Sequence, residues 1–331
     1  MAFGDGTVFK SESQFVRWLQ AHSGGIGRVR LGIGDDAAIV EVKRGQEMIL
    51  TTDMSIEGVH FRRQLHPARS VGHRALARSL SDIAAMGGTP RYALVSLALN
   101  RRATRAWIRD FYSGMLELAR RFRVELVGGD TARVRGVTTI DVVVAGEVPR
   151  GGALRRSGAR PGDQLYVSGR LGLSAWGLQL LESRTRIRGA EQEQALQAHL
   201  YPEPKCALGR FLRQRRLASA LMDLSDGLST DLARLCEASE VGAQIRAASL
   251  PGPQVEDKTK NLDLALHGGE DYELLFAVPP RKARLVPRRF RSVPLYWIGE
   301  VQQSRKLQLI GNDGKARLLE LRGWDHFQTK A

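Results

Sequence analysis

Five times in this chain an apolar run breaks at an aspartate set among glycines or other small residues. The segments are GIGDDAAIV (32–40), LTTDMSIEGVHF (50–61), LSDIAAMGG (80–88), VGGDTAR (127–133) and MDLSDGLSTD (222–231). A carboxylate at the end of a buried strand or the start of a helix has its position set by the backbone. Small neighbours leave room for a bulky polyanion. A lone aspartate in such a setting more often caps a helix or closes an Asx turn. Five sites with one grammar outweigh that reading, because caps need no flanking glycines. Several such carboxylates converging would repel one another unless cations lay between them. Oxygen ligands without His or Cys point to Mg²⁺, which also binds substrate phosphates.

Around these breaks the hydrophobic pattern alternates between two periods. Alternation predicts strands over 47–53, 92–99 and 138–148, and helical spacing predicts helices over 69–86 and 104–122. Trp107, Phe111, Leu118 and Phe122 share one helical stripe and read as core. Pro, Arg and Gly at 149–152 mark a boundary, giving expected domains 1–149 and 150–331. Beyond it, strands are expected over 164–168, 220–223, 272–278 and 296–301, and helices over 173–181, 205–214 and 228–238. Both halves mix strands and helices. The expected fold class is therefore α/β (α+β) in two domains.

The net charge is +15, which raises a nucleic-acid reading. Only 9 of the 50 basic residues are Lys, and the arginines are spread over the whole length. Basic runs such as 101–105 and 281–291 carry no zinc or RNA-binding signature, so a solvated surface is the better account. No apolar run reaches the roughly 18–20 residues of a membrane helix. The start shows no leader pattern, and a cytoplasmic protein is expected. Cys206 and Cys236 have no metal-ligand spacing and read as buried free thiols in a reducing compartment.

Absent motifs narrow the chemistry. Gly314-Lys315 is followed by Ala and lacks the glycines of a phosphate loop. There is no GxGxxG after a strand, no HRD or DFG and no GxSxG elbow. A nucleotide would have to be held through carboxylate-bound metal.

The ordered set GIGDDAAIV, TTDMSIEGVHF, LSDIAAMGG, VGGDT, DLSDGLSTDL, GGEDYELLF and WDHF resembles the thiamine-monophosphate kinase family. That family is related to aminoimidazole-ribonucleotide synthetase and selenophosphate synthetase. The latter needs a reactive Cys near the N-terminus, and this chain has no Cys before Cys206. The resemblance implies an N-terminal domain that dimerises through its strands and a C-terminal α/β domain. It implies ATP and thiamine monophosphate as substrates, several Mg²⁺ ions, and K⁺ as a further candidate. Carried over by motif, the metal ligands are Asp36, Thr51, Thr52, Asp53, Asp82, Asp130, Asp223 and Asp226. The family pattern favours Asp36 over its neighbour Asp35. ATP contacts fall on Gly129, Asp130, Arg156 and Ser225, with Arg156 also assisting catalysis. Substrate contacts fall on His60, Glu270 and Trp324.

The implied reaction transfers a phosphoryl group onto a phosphate oxygen that is already ionised near neutral pH. No essential general base and no phosphoenzyme are then expected. His60 would orient substrate, and Glu270 and Trp324 suit a thiazolium cation and a flat pyrimidine. Two alternatives stay open: a related ATP-dependent synthetase forming an activated phosphate intermediate, and a basic nucleic-acid-binding protein.

Overall fold

The computed structural model describes residues 18–22, 29–31, 39–40, 42–184, 186–255 and 257–324. Its contacts gather into two compact units, Met1–Ile83 with Thr89–Gly151, and Ala84–Gly88 with Gly152–Ala331.

In the first unit, β1 (Val29–Leu31) and β2 (Ile39–Val40) form a small antiparallel pair. The main elements are β3 (Gln46–Ile56), α1 (Ala68–Ala85), β4 (Thr89–Asn100), α2 (Arg105–Phe122), β5 (Glu125–Val134) and β6 (Thr139–Pro149). The sheet order is β3-β6-β4-β5. Strands β4 and β5 are parallel, and α2 supplies the crossover that a parallel pair requires. The Thr104 hydroxyl caps α2 by accepting from the Trp107 N–H at 3.2 Å, and Arg123 ends it in the left-handed region at φ +56°. Phe111 and Leu118 of the expected stripe are fully buried, with Ile108, Tyr112 and Met115 beside them.

Strands form where alternation is clean. The pattern gives no strand at 125–134, since Gly128, Gly129 and the polar residues after them interrupt it. Backbone pairing with β4 makes one anyway. One face of this sheet keeps Met48, Leu50, Met54 and Leu94 exposed, with Leu50 at 66%.

The second unit contains β7 (Gln164–Ser168), α3 (Leu173–Glu182), α4 (Ala190–Leu200), α5 (Cys206–Gln214), β8 (Ala220–Leu224), α6 (Leu228–Ser239) and β9 (Gly242–Arg246). After these come α7 (Lys258–His267), β10 (Glu273–Val278), β11 (Arg289–Phe290), β12 (Val293–Gln302), β13 (Leu307–Ile310) and β14 (Ala316–Leu318). The strands lie in the order β14-β13-β9-β12-β7-β10-β8, with β11 on β12. Every residue of β8 and β10 is buried. Leu165, Met222, Leu232, Leu235, Leu275 and Ile298 belong to the core cluster of this unit. Cys206 and Cys236 are free and buried, and burial pushes both thiols up to about 12. No helix among the described residues is long and apolar enough to cross a membrane.

Candidate active site

The sequence TTD lies within β3, not at its end, so alternation sends its three side chains to different faces. Thr51 and Asp53 face α1. The Thr51 hydroxyl donates to Asp82 Oδ2 on α1, and Arg78, one helical turn before Asp82, sets its Nε 3.8 Å from Asp53 Oδ1. Asp53 Oδ2 is buried and has no hydrogen-bond partner. Burial, with the Asp82 carboxylate next in effect, raises the Asp53 carboxyl from 3.8 to about 7; Arg78 and the Ser79 hydroxyl oppose the rise. A buried carboxylate oxygen without a donor, beside a second carboxylate and a hydroxyl, is a donor set that fits a hard divalent cation. Among the described residues no three His, Cys, Asp or Glu side chains stand close enough to hold a metal ion. Asp36, the further carboxylate expected from the first unit's N-terminal motif, lies outside the described residues.

Thr52 faces the other way. Its hydroxyl donates to Asp141 Oδ1 on β6 at 2.7 Å. In register, Asp141 stands beside Ser96, and Ser96 beside Asp130 on β5. Thr52, Asp141 and Asp130 therefore share the open face of the sheet, while Thr51, Asp53 and Asp82 share the face that α1 covers. Gly129 stands beside Val95 at φ +153°, and a Cβ there would lie 2.0 Å from the Val95 carbonyl oxygen. Close strand packing is thus one reason for glycine at this position. His60 closes a turn after β3: its Nδ1 accepts the Ile56 N–H at 3.0 Å, so the ring proton of the neutral form belongs on Nε2.

In the second unit, residues from three distant segments meet at the end of β8. The Glu270 N–H donates to Ser225 O at 2.7 Å, and the Trp324 N–H donates to Asp226 O at 2.9 Å. Ser225, Asp226, Glu270 and Trp324 are thereby neighbours, with Trp324 exposed. Asp226 pairs with Arg234 of α6. Asp223, three residues earlier, is a buried member of β8. Arg156 presents an exposed side chain; its carbonyl accepts from Ser239 Oγ at 2.9 Å, and the Arg155 carbonyl accepts the Leu221 N–H. The arginine segment is thus tied alongside β8 and the end of α6.

Several residues that build these loci escape a reading of motifs. Asp231 is fully buried and accepts the N–H groups of Ser225 and Asp226, both at 3.0 Å, holding the SDG turn. Burial, followed by the nearby Asp226, raises it to about 6. Its position within DLSDGLSTD was the available signal. Asp271 accepts from Gly172 N–H at 2.6 Å and Ser174 N–H at 3.2 Å, capping α3 from a remote loop, and burial raises it to about 8. No local pattern in the sequence announces that cap. Arg78 is legible only once Asp82 is known to sit one turn further along the same helix.

Residues 34–148 match the model of the AIR synthase related protein, N-terminal domain, and residues 160–312 match that of the C-terminal domain. The fold and the acidic loci thus define an AIR synthase related protein. Thiamine-monophosphate kinase of Escherichia coli (strain K12) is 38% identical over 309 residues, covering 91% of this chain and 93% of that one. The crystal structure of thiamine-monophosphate kinase from Stenotrophomonas maltophilia K279a superposes with a TM-score of 0.83 at 32% identity, covering 95% of this chain and all of that one. AaThiL complexed with AMPPCP and TMP superposes with a TM-score of 0.75 at 32% identity, covering 96% and 97%. The chain belongs to the thiamine-monophosphate kinase family.

Proposed function

We propose that this protein transfers the γ-phosphoryl group of ATP to the phosphate of thiamine monophosphate, yielding thiamine diphosphate and ADP. The observation that carries this is the likeness over nearly the whole chain to AaThiL, whose structure holds AMPPCP and TMP. The acceptor is an ionised phosphate oxygen, so the residues present have no proton to remove. Their work is positioning and charge neutralisation.

Asp53 and Asp82, with Thr51 beside them, are the residues that would hold Mg²⁺ in the first unit. Held there, Mg²⁺ would supply charge neutralisation at the nucleotide's phosphates. Asp130 and Thr52, with Asp141, form a separate polar locus on the opposite face. In the second unit Asp226 and Ser225 present the SDG turn, held from below by Asp231. Glu270 and Trp324 flank that turn and supply a carboxylate and an indole for the thiazolium and pyrimidine rings. His60, whose Nδ1 accepts the Ile56 N–H, orients the acceptor. The decisive assay is ADP release with and without thiamine monophosphate as Mg²⁺ is varied. Release that does not respond to thiamine monophosphate would overturn the reading.

Arg156 is assigned to the nucleotide phosphates. Arg156→Lys keeps the charge and loses the planar fork, so ATP use should weaken by roughly 1–3 kcal/mol in kcat/KM. Wild-type kinetics in that variant would remove Arg156 from the site.

The exposed apolar face of the β3-β6-β4-β5 sheet supports a homodimer that buries it. Met48, Leu50, Met54 and Leu94 are too apolar a group to leave in water. Light scattering at micromolar concentration should give twice the chain mass, and Leu50→Arg should give a monomer. A monomeric wild type would refute this.

A further inference from the structure

The face of α1 turned toward β3 carries charges of both signs. Arg74, Arg78 and Asp82 recur every fourth residue and so share one side of the helix. The helix is firmly seated, because Leu76, Leu80 and Ile83 are fully buried and the Ser79 hydroxyl donates to the Val142 carbonyl at 2.9 Å. Arg74 is itself only 4% exposed. This row meets β3 at two points. Arg78 Nε lies 3.8 Å from Asp53 Oδ1, and the Thr51 hydroxyl donates to Asp82.

The Arg78–Asp53 pair is an ion pair whose 3.8 Å separation is too long for a hydrogen bond between those two atoms. Asp53 Oδ2 meanwhile is buried and has no hydrogen-bond partner. Charge is thus compensated while an oxygen that could bind metal stays open. Asp53, Asp82 and Arg78 together carry one net negative charge, where the two carboxylates alone would carry two. The guanidinium also has room to withdraw. With Ser55, His60, Phe61, Val71 and Arg74, Arg78 lines a small cavity walled by the end of β3, the turn after it and α1.

We propose that Arg78 is a built-in counter-ion of the metal locus, which steadies the two carboxylates when no divalent cation is bound and weakens the capture of free Mg²⁺. An entering ion meets a cation already in place and is repelled by it. Arg78 acts through Asp53 and is a positioning residue, not a metal ligand. The inference rests on Asp53 and Asp82 holding Mg²⁺, and it adds that this chain sets the strength of that binding with a charge of its own.

The test is calorimetric titration of Mg²⁺ into the full chain without nucleotide, with melting temperatures measured alongside. It is run at pH 9, above the value of about 7 to which Asp53 is raised. Arg78→Met keeps most of the side-chain length and removes the charge. It should tighten Mg²⁺ binding about tenfold or more, between the water-screened and protein-interior limits for one nearby charge. It should also lower the metal-free melting temperature, since Asp53 then stays buried without its cation. A side chain that only filled space would lower the melting temperature and leave Mg²⁺ affinity unchanged or weaker. Arg78→Lys keeps the charge and should match wild-type affinity to within about threefold. If Arg78→Met does not fold, Arg78→Gln takes its place with the same expectation. Unchanged or weaker Mg²⁺ binding in the neutral variant, or equal tightening in Arg78→Lys, would overturn the counter-ion role. Adding Asp53→Asn to Arg78→Met should abolish the gain. A gain that survived would instead remove Asp53 from the metal locus, a separate failure.

Discussion

Asp53→Asn is expected to abolish thiamine-monophosphate-dependent ADP release while the protein folds and, free of metal, melts at or above the wild-type temperature at pH 8. The structural reason is that the site penalises the charge it uses. Burial and the Asp82 carboxylate raise Asp53 from 3.8 to about 7. The sign follows from linkage. Because the folded-state value exceeds the unfolded one, the folded protein binds more protons between about pH 4 and pH 7. Stability from this group is complete below about pH 4 and is lost as pH rises through 7. At pH 8 wild-type metal-free protein therefore carries a cost of roughly 2–4 kcal/mol that a neutral amide avoids. The melting advantage of Asp53→Asn should shrink toward zero near pH 4. Added Mg²⁺ should raise the melting temperature of wild type and not of the variant. A helix-capping Asp would behave otherwise, since Asn caps about as well and activity would survive. Full activity of Asp53→Asn at saturating Mg²⁺ would sink the metal assignment.

Gly129→Ala should strongly destabilise the first unit. The new Cβ would meet the Val95 carbonyl oxygen at 2.0 Å, and backbone on a paired strand cannot yield as a flexible side chain can. We expect a loss of about 3–5 kcal/mol and a drop in melting temperature of roughly 10 °C or more. The measurement also separates two roles. If Gly129 served only to admit a nucleotide, the alanine variant would melt normally and lose ATP affinity alone. A normal melting temperature would show that β5 can shift away from β4 at little cost.

Particular elements show what the sequence could reveal. Strands β3, β4 and β6 and helices α1 and α2 were legible because their apolar residues recur at one period. Strand β5 was not, because its ladder partner β4, rather than its own side chains, makes it a strand. The acids at Asp53, Asp82, Asp130 and Asp226 stood out as polar breaks in apolar runs. The division of Asp53 and Asp82 from Asp130 between two sheet faces did not, because which face a residue takes depends on where in the strand the run begins, and β3 continues to Ile56, past the expected end at 53. Asp231 holds its own turn and Asp271 a loop 97 to 99 residues away in the chain through bonds to backbone N–H groups, and such bonds have no periodic signature. The Glu270 loop shows the same limit: its glycines announce a turn, yet left-handed Glu270 and Tyr272 could be found only in three dimensions.

The pairing of β3 with β6 sets an order of events during synthesis. Residues 46–56 emerge from the ribosome long before 139–149, and among the described residues β3 has β6 as its only sheet neighbour. Until β6 is made, Met48, Leu50 and Met54 belong to an unpaired apolar strand, and Thr51 and Asp53 have no rigid backbone to place them against α1. A nascent chain ending before about residue 149 would thus lack the proposed metal locus and be prone to self-association. The proposed metal locus of the first unit would come into being late, when the last strand of its sheet closes the ladder.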